Sequence, residues 1–294
     1  MNSISPTDLI LNEDGSVYHL NLLPQDVADT IITVGDPDRV PAVSRHFDTI
    51  ELKKGKREFI THTGTMRGKR LTVVSTGIGT DNIDIVLNEL DALVNIDLNT
   101  RSVKPSLQSL NIIRIGTSGG VQPEVEVDSI LVSSAAFGLD PLMHYYKYDA
   151  TEEESKFRYA LADILHAAYG DDHGIHPYYV SAGQSLLQKL GGGLTQGITI
   201  TAPGFYAPQG RQVRAEANTA GFVDRVQSFE HQGHRITNLE METAGIYGMA
   251  RALGHQALSF NVILANRATN VFSNRPGEIM DNAIISILER ILTL

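Results

Sequence analysis

The chain has 294 residues, 42% of them hydrophobic and 20% charged, an ordinary balance for a globular protein of one or two domains. Its formal net charge of -10 argues against a nucleic-acid-binding surface, and the absence of cysteine excludes disulfides and thiolate metal sites. No basic leader opens the chain and no apolar run approaches the roughly 20 residues of a membrane span, so we expect a cytoplasmic protein with no membrane partner.

Two segments near the N-terminus have plain interpretations. Residues 1–29 are polar with scattered leucines and predict an N-terminal arm, in which His19 is an ordinary solvated side chain. Residues 53–57 read KKGKR and precede a strand predicted over 58–63, which is typical of a solvated hairpin edge.

The first buried strand is predicted over 30–34, and it leads directly into a glycine and a helix start. This order exposes backbone amides to an anion near Gly35, and Arg39 is close enough in sequence to reach the same point. The plainer alternative is a helix capped by Asp36, with Pro37 at its first position and Arg39 on the surface. The two interpretations are compatible, because a cap does not prevent a nearby amide from binding an anion.

A second buried strand, predicted over 69–76, is followed by Gly77 and Gly79. This spacing resembles the start of a dinucleotide-binding fingerprint, but Asn82 replaces its third glycine, which weakens the case for an oxidoreductase. Apolar residues at helical spacing then predict an amphipathic helix over 81–94, and the polar residues 97–110 predict an extended loop.

The apolar run over 112–115 has the character of a strand buried on both faces, although Arg114 interrupts it. A buried arginine is costly unless its charge meets an anion. The small residues over 116–120 follow at once, and they allow backbone amides and a hydroxyl to approach that anion. The pattern alone leaves two alternatives open, an anion-binding arginine or a buried ion pair beside a tight turn.

The rest of the chain alternates strands with helices. Strands are predicted over 127–137, 197–202, 236–240 and 258–265, and helices over 152–169, before 191–193, up to about 253, and over 276–292. The alternation indicates a single α/β domain over 1–294 with a central, largely parallel sheet. The loop 203–211 suits a ligand-facing position, and Glu240 and Glu242 can either start a helix or bind a sugar diol.

Six segments, taken together, resemble the nucleoside phosphorylase superfamily, and most closely its uridine phosphorylases. They are VGDPDR (34–39), STGIG (75–79), RIGTSGGVQP (114–123), FYAPQGR (205–211), EMETAG (240–245) and NR (266–267). Each motif is weak alone, but the six occur in the order found in the family. The resemblance covers the chain from His19 to the C-terminal helix, and it implies a three-layer sandwich around a central mixed, largely parallel sheet.

The resemblance also implies a role for each matching residue. The phosphate site would comprise Gly35, Arg39, Arg114 and Thr117, together with Arg57 from a neighbouring subunit. The ribose site would comprise Met241 and Glu242, together with His19 from the arm of a neighbouring subunit. The base site would comprise Phe205, Gln209, Arg211 and Arg267. Catalysis would depend on Arg114, Gln209, Arg211 and Glu242.

The chemistry of these side chains agrees with the roles that the resemblance implies. A primary amide presents an acceptor and a donor side by side, so Gln209 complements the N3–H and O2 groups of uracil. Arg211 would face a carbonyl oxygen on which negative charge grows as the base leaves, and preorganised donors of this kind are usually the largest catalytic contribution. Asn266 stands where bacterial purine enzymes of the superfamily have an aspartate that protonates the base, so a purine substrate is disfavoured.

The chain departs from the family pattern at three places. Glu58 matches a ligand of a monovalent cation, such as K⁺, at the dimer interface, but Asn82 replaces the serine that completes that site. The loop 97–109 is longer than in the common bacterial enzymes, which leaves a homodimer and a hexamer equally open. Gly210 replaces an expected glutamate in the base loop, a change that would loosen pyrimidine specificity.

We therefore expect phosphorolysis of uridine, with deoxyuridine as a further candidate substrate, to give uracil and ribose 1-phosphate in pyrimidine salvage. Phosphate would be a co-substrate, and no cofactor is expected. Three alternatives stay open: a purine or broad-specificity phosphorylase, a nucleoside hydrolase of the same fold, and a non-catalytic nucleoside-binding protein.

Overall fold

A computed structural model describes residues 3–294. The strands are β1 (Thr30–Val34), β2 (Thr49–Lys56), β3 (Phe59–Met66), β4 (Lys69–Ser75), β5 (Ile96–Asp97), β6 (Ser102–Val103), β7 (Asn111–Gly120), β8 (Ile130–Gly138), β9 (Tyr178–Ser181), β10 (Thr195–Thr201), β11 (Glu230–His231), β12 (His234–Glu240), β13 (Gln256–Asn266) and β14 (Val271–Phe272). The helices are α1 (Arg39–Ser44), α2 (Thr80–Asn95), α3 (Glu152–Tyr169), α4 (Gln184–Leu190), α5 (Phe222–Ser228), α6 (Thr243–Leu253) and α7 (Pro276–Ile291). None of the helices in this described range is long and apolar enough to cross a membrane.

One large sheet organises the chain, in the order β11-β12-β10-β8-β13-β7-β1-β4-β3-β2, with β9 beside β8 and β14 beside β13. Parallel pairing joins β4, β1, β7 and β13 into one group and β8, β10 and β12 into another. The remaining pairs, including β8 with β13, are antiparallel. The prediction of an α/β fold with a central mixed sheet is confirmed, with the parallel pairs in its middle.

The two parallel groups meet at the ends of their strands. β12 pairs antiparallel with β7 only at Asn238 with Gly120 and at Leu239 with Gly119, which are the last two residues of β7 and the two residues before the end of β12. Strands β7, β13, β8, β10 and β12 therefore close into a five-stranded ring. This closure brings the carboxyl ends of strands from both groups to one place, which is where α/β proteins bind ligands.

The long helices lie close to their predicted positions because their apolar periodicity matches the helical turn. In α2, the residues Ile83, Val86, Leu87, Leu90 and Leu93 are buried, and in α7 the buried set includes Ala283, Ile284, Ile287, Leu288 and Ile291. Helix α3 begins as predicted, because Thr151 and Glu154 form a reciprocal capping box around its first turn.

Several predicted boundaries are wrong. The segment 97–110 contains the small hairpin β5–β6 instead of an extended loop, and β9 and α5 were not predicted. Strand β8 begins at Ile130 because Asp128 has a φ of 69°, which a strand cannot contain. Helix α1 begins at Arg39, two residues later than expected, because the Asp36 carboxylate accepts from the Asp38 amide at 2.9 Å in a turn of its own.

The N-terminal arm packs on its own chain to a greater extent than its polarity suggested. Leu9, Val17, Leu20 and Leu22 are buried in the main core. The Ile4 amide donates to the Arg101 carbonyl at 2.8 Å, which ties the arm to the β5–β6 hairpin. The KKGKR segment, by contrast, has the predicted character, since it lies in and after β2 at the edge of the sheet.

Candidate active site

A cavity of about 780 Å³ opens where the strand ends converge, a volume in the range of small-molecule sites. Most residues singled out from the sequence line it: Gly35, Arg39, Glu58, Arg114, Thr117, Phe205, Gln209, Arg211, Met241 and Glu242. Most of them follow the ends of β1, β10 and β12, whereas Arg114 and Thr117 lie within β7 and Glu58 lies in the turn between β2 and β3. Residues distant in sequence are thus brought to one wall.

Arg114 lies on this wall and is also part of a buried ion pair. Its Nη2 atom is 2.6 Å from Glu242 and 2.9 Å from Glu240, and only 5% of the residue is exposed. Burial alone would lower the pKa of Arg114, but the two carboxylates outweigh it and raise the pKa. The buried ion pair, one of the two alternatives left open by the sequence, is therefore present. Because the paired arginine also lines the cavity, anion binding there stays a prediction.

Glu240, the last residue of β12, and Glu242, two residues later, bind different groups. Glu240 accepts from the amides of Glu242 and Thr243 at 3.0 Å and from the Thr201 hydroxyl at 2.6 Å, so it caps α6. Glu242 lines the cavity, where it accepts from the Gly79 amide at 2.9 Å and pairs with Arg114. Burial and the charge of Glu240 raise the pKa of Glu242 despite that pairing.

Arg39 is the second guanidinium on the wall, and no carboxylate among residues 3–294 forms an ion pair with it. Its Nη1 atom donates weakly to the Ile115 carbonyl at 3.4 Å. Burial and the positive charge of Arg114 both lower the pKa of Arg39. A half-buried cation that faces a second cation provides a site for an anion of more than one charge.

The loop 205–211 forms another part of the cavity wall. Arg211 donates from one nitrogen to the Gln209 side-chain oxygen and to the Phe205 carbonyl, both at 2.7 Å. Its guanidinium also lies 3.9 Å from the centre of the Phe205 ring. These contacts fix the direction of the Gln209 amide and leave its NH₂ group unclaimed by Arg211, which is a cation with donors only.

The NR dipeptide, Asn266 and Arg267, contacts the backbone of this loop and of the neighbouring turns. Arg267 donates to the carbonyls of Gln209 and Gly210, at 3.0 and 3.3 Å. Asn266 is 2% exposed, donates to the carbonyls of Gln122 and Val125 and accepts from two amides of its own turn. Its hydrogen-bonding capacity is therefore occupied within the fold, and Arg267 acts on the loop backbone while its contact with a base stays a prediction.

Three of the predicted residues do not line the cavity of the single chain, namely Arg267, whose contacts are given above, His19 and Arg57. His19 is not solvated as its plain interpretation had it, because its Nδ1 atom lies 2.6 Å from Glu89. Arg57 is exposed at the turn between β2 and β3, with a φ of 56°. Their roles at the site of a neighbouring subunit stay predictions.

Some wall residues were not identified from the sequence. Ser118, Leu239, Leu264 and Phe272 all face the cavity. Phe272 reaches it because β14 folds back on β13, and that hairpin had no clear pattern in the sequence. Leu264 and Leu239 look like ordinary core residues of buried strands, so no signal distinguished them.

Comparisons with known proteins identify the family of this chain. A family model described as the phosphorylase superfamily matches residues 29–287. The chain is 30% identical to a uridine phosphorylase of Thermococcus kodakarensis over 90% of this chain and 83% of that protein. It is 27% identical to a uridine phosphorylase of Haemophilus influenzae, over 88% and 89%, and 27% identical to a DeoD-type purine nucleoside phosphorylase of Listeria monocytogenes, over 82% and 83%.

Solved structures give the same picture. A Trypanosoma brucei nucleoside phosphorylase, described as showing uridine phosphorylase activity, superposes with a TM-score of 0.87 at 29% identity and covers 98% of this chain and 100% of its own. A uridine phosphorylase of the oomycete Phytophthora capsici has a TM-score of 0.69 at 22% identity, with coverage of 100% and 99%, which supports the fold alone.

Proposed function

Because this chain belongs to the phosphorylase superfamily, we propose that its cavity catalyses phosphorolysis of uridine to uracil and ribose 1-phosphate. The observation that carries the proposal is the division of the cavity. Arg39, without an ion pair among the described residues, lies with Arg114 on one part of the wall, and the Gln209–Arg211 pair lies on another. Glu242 is the carboxylate available for a ribose diol.

The reaction needs no side-chain nucleophile in this arrangement. Phosphate bound by Arg39, Arg114 and Thr117 attacks C1′ of the ribose as the bond to N1 of the base breaks. The electron pair of that bond leaves with uracil, whose growing negative charge is stabilised by Arg211. Holding phosphate and nucleoside in line supplies much of the remaining rate enhancement. The enzyme is a pentosyltransferase in this proposal.

Asn266 supports a pyrimidine over a purine substrate. A purine leaving group gains from protonation at N7, and a neutral amide cannot supply that proton. The Asn266 amide is also occupied by the carbonyls of Gln122 and Val125. Gly210 has a φ of 68°, and a Cβ added there would lie 2.9 Å from the Val223 side chain. This position therefore leaves little room for the glutamate that the family pattern has there.

The location, the oligomeric state and the sharing of residues between subunits are further parts of the proposal. We propose a cytoplasmic enzyme of pyrimidine salvage that works as a homodimer or a hexamer, with Arg57 and His19 acting on the neighbouring subunit. No resident cofactor is required. Glu58, which lines the cavity, is the candidate ligand of a monovalent cation at a dimer interface, where Asn82 replaces the serine of the family pattern.

Uracil release from uridine with and without inorganic phosphate tests the function. We expect release to depend on phosphate and to be accompanied by an equal amount of ribose 1-phosphate, with deoxyuridine and thymidine as further substrates to compare. Equal rates without phosphate would establish a hydrolase instead. Faster turnover of inosine than of uridine would make this a purine enzyme, and binding without turnover would indicate a nucleoside-binding protein.

A further inference from the structure

A chain of hydrogen-bonded side chains passes through the five-stranded ring, with one member from each strand before it returns to β7. Its members are Arg114 on β7, Asn261 on β13, Ser133 on β8, Thr199 on β10, Asn238 on β12 and Ser118 on β7. The successive distances are 3.0, 2.8, 2.5, 2.9 and 2.7 Å. Asn261, Ser133, Thr199 and Asn238 have no exposed surface. An apolar filling is the common solution inside a small ring of strands, so this polar set needs an explanation.

This series of hydrogen bonds has a fixed direction because the arginine side chain can only donate. Asn261 must present its Oδ1 atom to Arg114, which turns its Nδ2 atom to the Ser133 hydroxyl. The Thr199 hydroxyl donates to Asn238, so the Ser133 hydroxyl donates to Thr199. Each donor therefore points away from the guanidinium, and the aligned dipoles favour a positive charge at Arg114.

Asn261 supplies a contact with Arg114 that the glutamates do not. Glu240 and Glu242 both bind the Nη2 atom, and a guanidinium held at one nitrogen can still turn about that contact. Asn261 holds Nη1 and so fixes the plane of the group. It does this with a neutral oxygen, whereas a third carboxylate would compete with an incoming anion for the same cation.

We propose that Asn261, oriented by Ser133, is a positioning residue that sets the Arg114 guanidinium for phosphate. The inference rests on the proposed phosphorolysis, because phosphate is the ligand that Arg114 would bind. It adds a second layer to the site, built from buried strand residues that do not contact the substrate.

The variant Asn261→Leu tests this, because leucine keeps the branching of the side chain and removes its hydrogen bonds with Arg114, Ser133 and Ser259. We expect the phosphate KM to rise about tenfold while the uridine KM changes by less than about twofold, since a hydrogen bond to a charged group is lost at the phosphate end alone. The matched control is Thr199→Val, equally buried but three hydrogen bonds away from Arg114. It should lower the melting temperature and leave the phosphate KM unchanged.

Inorganic phosphate binding, measured by calorimetry on the same proteins, separates this inference from the proposed function. A wild-type protein that binds phosphate but does not cleave uridine would refute the function, and the Kd values of the variants would still decide the role of Asn261. The inference is overturned if Asn261→Leu binds phosphate as tightly as Thr199→Val, or if the wild type does not bind phosphate. If Asn261→Leu does not fold, Ser133→Ala decides: a rise of about threefold in the phosphate KM is expected, and no change overturns the proposal.

Discussion

At the scale of single residues, the site is shaped by how much room the backbone leaves for Arg114. An added Cβ at Gly116 would lie 2.0 Å from the Arg114 Nη1 atom, so the guanidinium occupies the space above this glycine. The side chain can fold back along its own strand only because position 116 has none. The glycine is therefore part of the arginine site, although its φ is ordinary for a strand.

We predict that Gly116→Ala displaces Arg114, lowers kcat/KM for phosphate by at least about tenfold and costs about 1–3 kcal/mol of unfolding free energy through overpacking. Urea unfolding and phosphate kinetics measure the two effects. Gly119→Ala, on the same strand, is the control for stability, because its Cβ would meet nothing closer than 4.0 Å. Equal stability of the two variants would show that Arg114 relaxes freely.

Gln209 is the residue whose loss should affect binding and leaving-group departure together. We predict that Gln209→Ala raises the uridine KM, lowers kcat and reduces kcat/KM about 10–100-fold. The reason is that the two hydrogen bonds of the side-chain amide to uracil are lost and that Arg211 loses its hydrogen-bond partner. Steady-state kinetics at saturating phosphate measure this. The exposed Gln184, on α4, provides a control in Gln184→Ala, and unchanged kinetics in Gln209→Ala would place the base site elsewhere.

At the scale of elements, the first turn of α3 is joined to β9 and α6 by one carboxylate. Glu154 pairs with Arg251 at 2.7 and 2.8 Å and accepts from the amides of Thr151 and Ser181 at 2.9 Å. Burial alone would raise the pKa of Glu154, but these donors lower it from 4.5 to about 2. A single side chain thus caps a helix and connects three elements.

This arrangement predicts a specific dependence of stability on pH. Because the folded pKa of Glu154 lies below the unfolded value, its stabilisation is complete above about pH 5 and is lost as the pH falls from about 4.5 to about 2. We expect Glu154→Gln to lower the unfolding free energy at pH 7 by about 3 kcal/mol, with the gap from wild type closing toward pH 2. Denaturant unfolding at several pH values measures this, and Glu153→Gln, an exposed change on the same turn, is the control. A gap that stays constant with pH would contradict the assignment.

At the scale of the whole molecule, a protein of formal net charge -10 presents the guanidinium groups of Arg39, Arg114 and Arg211 to one cavity. The overall field therefore does not draw an anion to the site, and binding depends on local geometry. That geometry comes from the closure of the sheet, because the antiparallel contact of β12 with β7 brings Glu240 and Glu242 to Arg114.

The proposed sharing of sites between subunits predicts complementation. Arg57→Ala and Gln209→Ala should each be nearly inactive, and mixing them with subunit exchange should restore about a quarter of wild-type activity in a dimer, since half of the dimers would carry one intact site. Activity after denaturation and joint refolding measures this. The control is Gln209→Ala mixed with Arg114→Ala, whose changes lie in one cavity and cannot complement. No recovery in the first mixture would place Arg57 outside the site.

The sequence by itself determined the local structure and the functional groups available to the site. The periodicity of α2 and α7 was sufficient because a helix buries one face at a fixed spacing, and the segments that carry Gly35, Arg114, Gln209 and Glu242 were marked by glycine and polar residues. The family resemblance then indicated which of these positions belong to one site.

Only the tertiary structure decided how those residues are paired. Both Glu240 and Glu242 line the cavity, but Glu240 caps α6 whereas Glu242 accepts from the Gly79 amide. This distinction depends on where Thr201 and Gly79 lie, far away in the chain. The contact of Asn261 with Arg114 exists because β13 lies beside β7 in one register, and no local pattern encodes that register. Side-chain pairing across a closed sheet is a long-range property, so it was fixed by the packing of the strands and could not be derived from the spacing of residues along them.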